Sequence, residues 1–436
     1  MSPHPLSAAL LAIGDEVLRG EVINSNGGFL GDALFDLGLV VREHRVISDD
    51  VADIRATLAA LSGLDEAGQE VDVIISTGGL GPTDDDRTVD VVSGLLPGAP
   101  APITHESSRQ AMEQAFAARG FALTPNNLRQ VRVPAGATPL SNAVGLAPGF
   151  RMALGRAQAF FLPGIPREMQ RIFADHIRPV LLELQAASGV PPAAVRTFHV
   201  YGMGESHMDH RLAGLIDGLT GVSVHYRTAA PENHLKVVVR GPDARANQAT
   251  LDRLDGQVRE RLGNVIYGID DQTFALAVAR ALTRAGATLA LGESCTGGYA
   301  GQLLTSEPGA SVFFRGGVVS YHNEVKQTVL GVRAETLAAH GAVSEPCAAE
   351  MAEGVRRICG ATLGVSITGI AGSAKETGAA APEAGEGGKP VGMVCFGIAG
   401  PRGTRTETKQ FFAGRERIRR AAAYFALDLA RRYFDD

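Results

Sequence analysis

Two stretches of this chain combine residue types that could do chemistry. The first is Gly78-Gly79-Leu80-Gly81-Pro82-Thr83-Asp84-Asp85-Asp86-Arg87-Thr88. Glycines let a backbone approach a ligand closely, and amides at a helix start cradle phosphate oxygens. Gly78, Gly79, Gly81 and Thr83 are therefore candidate substrate-binding residues. Adjacent aspartates repel a phosphate directly, so Asp85 and Asp86 fit such a site only if a divalent cation bridges carboxylate and phosphate. Asp15, Glu16 and Asp49 follow other apolar runs and could join the same edge as metal ligands. The competing reading is that residues 84–86 only cap the following helix.

The second stretch is Gly292-Glu293-Ser294-Cys295-Thr296-Gly297-Gly298. A hydroxyl, a thiol and paired glycines at a strand-to-helix turn can present side chains and amides together. Cys295 draws attention first as a nucleophile, but it needs a base and no His lies at a telling position. The other candidate is Ser311, in Pro308-Gly309-Ala310-Ser311, with Lys326 lying 326 − 311 = 15 residues on and Tyr321 between them. A Ser–Lys pair can hydrolyse an amide if the lysine is neutral. Free lysine titrates near about 10.4, so burial would have to bring it to roughly 7–8. On spacing alone the pairing is weak, because exposed lysine is the usual case.

These residues need elements to hold them. Short apolar runs at 8–13, 39–47 and 71–76 read as strands, and the segments 26–37, 50–61 and 86–96 read as helices. Strand–helix alternation predicts a parallel sheet with helices on both faces. Residues 196–268 give a small α+β pattern with helices at 206–215 and 244–262. A third α/β unit follows, with strands at 288–291, 318–321, 364–368, 392–398 and 407–412, and with helices at 272–285 and 416–433. The segment 373–389 is small, polar and rich in Gly, Ala and Glu. It reads as a mobile surface loop, or as a lid over the turn at 368–372.

Bulk properties narrow the field. A chain of 436 residues implies two to three domains. The net charge of −6 argues against broad electrostatic binding to nucleic acid. The four cysteines show no CxxC pairing and no zinc-like spacing with His. The start, MSPHPLSAALLAIGDE, lacks a basic segment and reads as a buried strand rather than a signal peptide. No apolar stretch reaches the ~18 residues of a membrane span. A cytoplasmic protein is expected, and a symmetric homodimer is the default assembly.

The motifs also resemble a known family. GDEVLRG at 14–20, Asn24 and Asn26, TGGLGPTDDDRT at 77–88 and LPGIPREM at 162–169 are similar, in order, to the molybdopterin-binding-type domain of the CinA proteins. HVYGMGESHMDHRL at 199–212 resembles the CinA linker domain, which has a KH-like fold. Its nearest loop, Gly202-Met203-Gly204-Glu205, lacks the GxxG spacing and carries an acid, which favours a spacer or dimerisation module over RNA binding. His199, His207 and His210 fit an ordinary half-exposed strand and helix better than a metal site. ESCTGG at 293–298, PGAS at 308–311, GGVVSYHNEVK at 316–326, GAVSE at 341–345, SITGIAG at 366–372 and KPVGMV at 389–394 resemble the CinA C-terminal domain.

The resemblance implies three parts: a molybdopterin-binding-like domain over 1–175, a KH-like linker over 176–268 and a C-terminal α/β amidase domain over 269–436. It implies that the last domain hydrolyses nicotinamide mononucleotide to nicotinate mononucleotide and ammonia without a cofactor. In that reading Ser311 is the nucleophile and Lys326 its base. Tyr321, Ser294 and Thr368 assist by hydrogen bonding, and Thr296, Gly297, Gly298 and Arg415 bind substrate. The first domain is implied to split ADP-ribose with a divalent ion (Mg, Mn or Co) held by Asp85 and Asp86. The alternative is that this domain only binds a nucleotide or pterin, in a competence- or repair-associated protein.

Overall fold

The computed structural model describes residues 5–65, 70–372 and 388–435. The chain divides into two compact units. One comprises Met1–Val195, Leu219–Val222 and Val238–Asp252, and the other Arg196–Gly218, Ser223–Val237 and Arg253–Asp436.

The first unit is built on a six-stranded sheet. Its strands run in the order Val40–Ile47, Ser7–Ile13, Val73–Thr77, Ala157–Leu162, Gly149–Leu154 and Thr138–Leu140. The first four are parallel and the last two are antiparallel, so the sheet is mixed rather than purely parallel. Helices cover both faces, as the alternating pattern requires. On the interior strand Ser7–Ile13, Ala9 and Leu11 pack with Ile54 and Leu58 of the helix Val51–Ser62. Their neighbours Ala8 and Leu10 point the other way, onto Leu30 and Leu34 of the helix Ser25–Asp36. Each such fully buried Leu or Ile contributes roughly 1.5–3 kcal/mol. Parallel pairing brings the carboxyl ends of the first three strands in the sequence to one edge, where ligands of open α/β sheets bind.

The second unit holds two sheets. The smaller orders Val222–Ala229, Glu232–Val239, Ala194–Tyr201 and Ile266–Ile269. The larger orders Phe314–Val319, Leu289–Glu293, Leu363–Gly369, Met393–Gly400 and Gly403–Gln410, the first three parallel and the rest antiparallel. Helices Phe274–Arg284, Tyr299–Thr305 and Arg415–Arg432 cover one face of the larger sheet, meeting Leu289, Leu291, Val365 and Ile367. Helix Glu345–Cys359 lies on the other face. Gly364 permits that approach, because a Cβ there would sit 2.2 Å from the Ala352 carbonyl oxygen.

Secondary structure departs from expectation mainly at element ends. The helix after the aspartates begins at Thr88 rather than 86, because Asp86 is drawn into the preceding loop. The helix expected over 272–285 runs Phe274–Arg284, capped by the Thr273 side chain. The strand expected at 318–321 runs Phe314–Val319. The proposed lid segment lies outside the described residues except for Gly388 and Lys389. No helix among the described residues is long and apolar enough to cross a membrane.

Candidate active sites

At the edge of the first sheet, the strand Val73–Thr77 ends in Gly78, whose φ is 104°. A Cβ there would lie 2.0 Å from the Ile13 carbonyl oxygen, so only glycine lets this loop pass the end of the neighbouring strand. The loop borders a cavity of about 870 Å³ lined by Gly78, Gly79, Gly81, Thr83, Asp85, Asp86, Glu16 and Asp49. All four expected substrate-binding residues of this domain therefore face one space.

The expected metal ligands divide into two groups. Asp86 is consumed inside the loop, where its carboxylate accepts from the Gly81 amide at 2.6 Å and from the Thr83 amide and hydroxyl at 2.9 and 2.6 Å. Asp15 does not line the cavity and pairs with Arg19 at 3.2 Å. Their assignment as metal ligands is corrected accordingly: one carboxylate closes a turn and the other pairs with a cation. Asp84 is held by Arg129. Glu16, Asp49 and Asp85 remain.

Burial pushes the Asp49 carboxyl above the ordinary carboxylate range, a bond from the Asp15 amide opposes this, and the charges of Glu16, Asp15 and Asp85 reinforce it. Asp85 is held below that range by the Thr83 hydroxyl and its own amide. Crowded like charges at the mouth of a cavity attract a cation, although among the described residues Glu16, Asp49 and Asp85 do not gather as one ligand cluster.

Sequence reasoning gave no role to Asn26, although its motif was noticed. Its amide nitrogen donates to the Gly164 carbonyl at 2.7 Å, while its Oδ1 is buried without a partner among the described residues. Both Asn26 and Gly164 line the cavity.

In the second unit, the parallel strands of the larger sheet deliver their ends to one edge. Ser294 follows Leu289–Glu293, Ser320 and Tyr321 follow Phe314–Val319, and Thr368 lies near the end of Leu363–Gly369. Lys326, on the helix Asn323–Thr328, reaches this edge with only 1% of its surface exposed. Its Nζ donates to Ser294 Oγ at 3.1 Å, to the Ser320 carbonyl at 2.7 Å and to the Tyr321 carbonyl at 3.4 Å. Burial strips water from the amine, which is the condition a lysine base requires.

The structure joins Lys326 to Ser294, not to Ser311. Ser311 sits exposed on the single turn Ala310–Val312 and makes no side-chain hydrogen bond among the described residues. Thr368 is also committed elsewhere, donating to the Ala342 carbonyl at 2.8 Å.

The expected amide cradle is filled from within. Glu293, 3% exposed, accepts from the amides of Gly298, Ala300 and Gly301 at 3.0, 3.1 and 2.8 Å. The Gly297 amide bonds the Ser294 carbonyl at 3.0 Å. Gly297 and Gly298 thus shape the turn, with φ of 61° and 94°, rather than offering amides to substrate. Thr296 is fully buried, with its hydroxyl unpartnered among the described residues.

Tyr321, 61% exposed, accepts a bond from Arg415 at 3.1 Å. One helical turn on, Arg419 donates to the Thr296 carbonyl at 2.9 Å. Sequence reasoning found Arg415 and missed Arg419, though i, i+4 spacing on the helix puts both on one face. Cys295 is an inert core thiol: burial, reinforced by Glu293, pushes it up to about 12.

Comparison with known proteins decides the family. Residues 9–183 match the probable molybdopterin binding domain, 195–268 the KH domain of damage-inducible protein CinA, and 271–434 the CinA C-terminal domain. A CinA-like protein of Anaeromyxobacter sp. (strain Fw109-5) is 42% identical over 430 residues, 98% of this chain and 99% of that protein. The chain belongs to the CinA family. A putative competence-damage inducible protein of Symbiobacterium thermophilum is 38% identical over 438 residues, covering 98% of both chains. A crystal structure of a CinA superfamily protein from Klebsiella pneumoniae is 36% identical and covers 37% of this chain and 96% of its own, with a TM-score of 0.34. The fold is accordingly α/β, with a molybdopterin-binding-like first domain, a KH-like middle and a CinA C-terminal domain.

Proposed function

We propose that the C-terminal domain is a nicotinamide-nucleotide amidohydrolase in which Lys326 is the base. The observation that carries this reading is the fully enclosed Lys326 amine bonded to a serine hydroxyl at the ends of parallel strands. Lys326 takes the proton of the attacking serine, the oxygen adds to the carboxamide carbon, and the proton passes to the departing ammonia. Water then cleaves the acyl-enzyme to nicotinate mononucleotide. Arg415, exposed at the start of its helix, supplies positive charge for the nucleotide phosphate.

In the first reading, carried by the resemblance of its motif, Ser311 is the nucleophile and Ser294 assists by hydrogen bonding to the amine. The contact of 3.1 Å supports a second reading, in which Ser294 itself attacks. Ammonia release from nicotinamide mononucleotide, assayed with chelator present, tests the activity, and Ser311→Ala and Ser294→Ala variants separate the two readings. Peptide mapping of a trapped acyl-enzyme names the serine. Full turnover in both variants overturns the mechanism.

For the N-terminal domain we propose metal-dependent cleavage of ADP-ribose to AMP and ribose 5-phosphate. Its support is the cavity where Glu16, Asp49 and Asp85 crowd beside the glycine loop. A divalent ion there would shield phosphate charge. Asn26 Oδ1, buried and without a partner among the described residues, offers the ligand an acceptor. Absence of AMP with Mg, Mn and Co reduces the domain to a binding module.

A further inference from the structure

A third group of side chains lies outside both candidate active sites. In the strand Glu232–Val239, Glu232 and His234 are two residues apart and share a face. The neighbouring strand Ala194–Tyr201 brings His199 alongside, with its ring centroid 4.4 Å from that of His234. One potential ligand atom from each of the three residues lies within 4.8 Å of the others. We infer that His199, Glu232 and His234 bind one divalent transition-metal ion of the zinc type.

Two imidazoles and a carboxylate make a borderline-soft donor set that suits zinc over magnesium or calcium. The supporting shell is already in place for two of the three. His199 Nε2 donates to the Asp270 carbonyl at 2.5 Å, which fixes the tautomer and leaves Nδ1 as the ligating nitrogen. The two oxygens of Glu232 accept from the hydroxyls of Tyr267 and, at 3.0 Å, of Tyr424. A carboxylate has about four lone-pair sites, so a metal bond is still open to Glu232.

His234 carries a competing contact. Its Nδ1 accepts from the Arg227 guanidinium at 2.8 Å. Arg227 is exposed, so a metal ion takes over that lone pair while the guanidinium swings into water. Three protein ligands leave a fourth position for water. Through Glu232 and Tyr424 the ion also ties this hairpin to the helix Arg415–Arg432, so binding stabilises the second unit.

Chelator-stripped full-length protein is equilibrated with zinc alone, desalted and assayed by elemental mass spectrometry. The expected result is one ion per chain fewer in His199→Gln and in His234→Gln than in the wild type, with the wild-type count kept in His207→Gln. Zinc should raise the melting temperature of the wild type and leave that of the two site variants unmoved. Anomalous diffraction from zinc-soaked wild-type crystals, which needs no variant to fold, should place the ion between the three side chains. A wild type that retains no zinc, site variants that retain as much as the wild type, or the lack of an anomalous peak between the three side chains overturns the assignment.

Discussion

Replacing Lys326 by Met removes the amine and keeps most of the buried stem, so packing is largely conserved. The main structural loss is the donor to the Ser320 carbonyl at 2.7 Å, since the Ser294 hydroxyl can rotate and the Tyr321 contact is long at 3.4 Å. One buried acceptor left unsatisfied costs about 1–3 kcal/mol. For a unit of this size, that lowers the melting temperature by about 2–4 °C per kcal/mol. The catalytic loss is larger, because removing a positioned general base costs ~10²–10⁴-fold. That corresponds to roughly 3–5 kcal/mol of barrier. The assay is steady-state ammonia release from nicotinamide mononucleotide, alongside calorimetric unfolding. A variant that folds normally and keeps more than about a tenth of wild-type turnover overturns the role of the amine.

Other substitutions test the remaining parts. Glu293→Gln weakens three charge-assisted bonds to amides and should cost about 1.5–3 kcal/mol per such bond lost, read by urea denaturation. Cys295→Ala should leave turnover intact, and the native thiol, pushed up to about 12, should resist iodoacetamide near neutral pH by peptide mapping. Because the Asp49 carboxyl is raised in the folded state, its contribution to stability is present at acid pH and lost as pH rises through the folded value. Asp49→Asn should therefore raise the melting temperature at neutral pH, with the gain vanishing below the usual carboxylate range. Manganese should stabilise the wild type and not this variant, as measured by differential scanning fluorimetry.

Much of the architecture was legible in the residues alone. Alternating apolar runs and helical spacing fixed the α/β class, because burial of one face dictates both periods. Glycine at 78 and the aspartates after it marked the edge of the first sheet, since a backbone passing 2.0 Å from where a Cβ would sit admits no other residue. The motif order also announced the family.

What tertiary structure alone decided was which polar groups satisfy each other. Asp86 and Asp85 are neighbours of identical chemistry that border the same cavity, yet the Asp86 carboxylate closes the loop through the Gly81 and Thr83 amides. The family resemblance paired Lys326 with Ser311, whereas the parallel register of two strands put Ser294 against its amine. His199 meets Glu232 and His234 only because two strands distant in sequence lie side by side. Hydrogen bonds form between groups that folding brings within about 3 Å, and one-dimensional spacing does not carry that distance across a sheet.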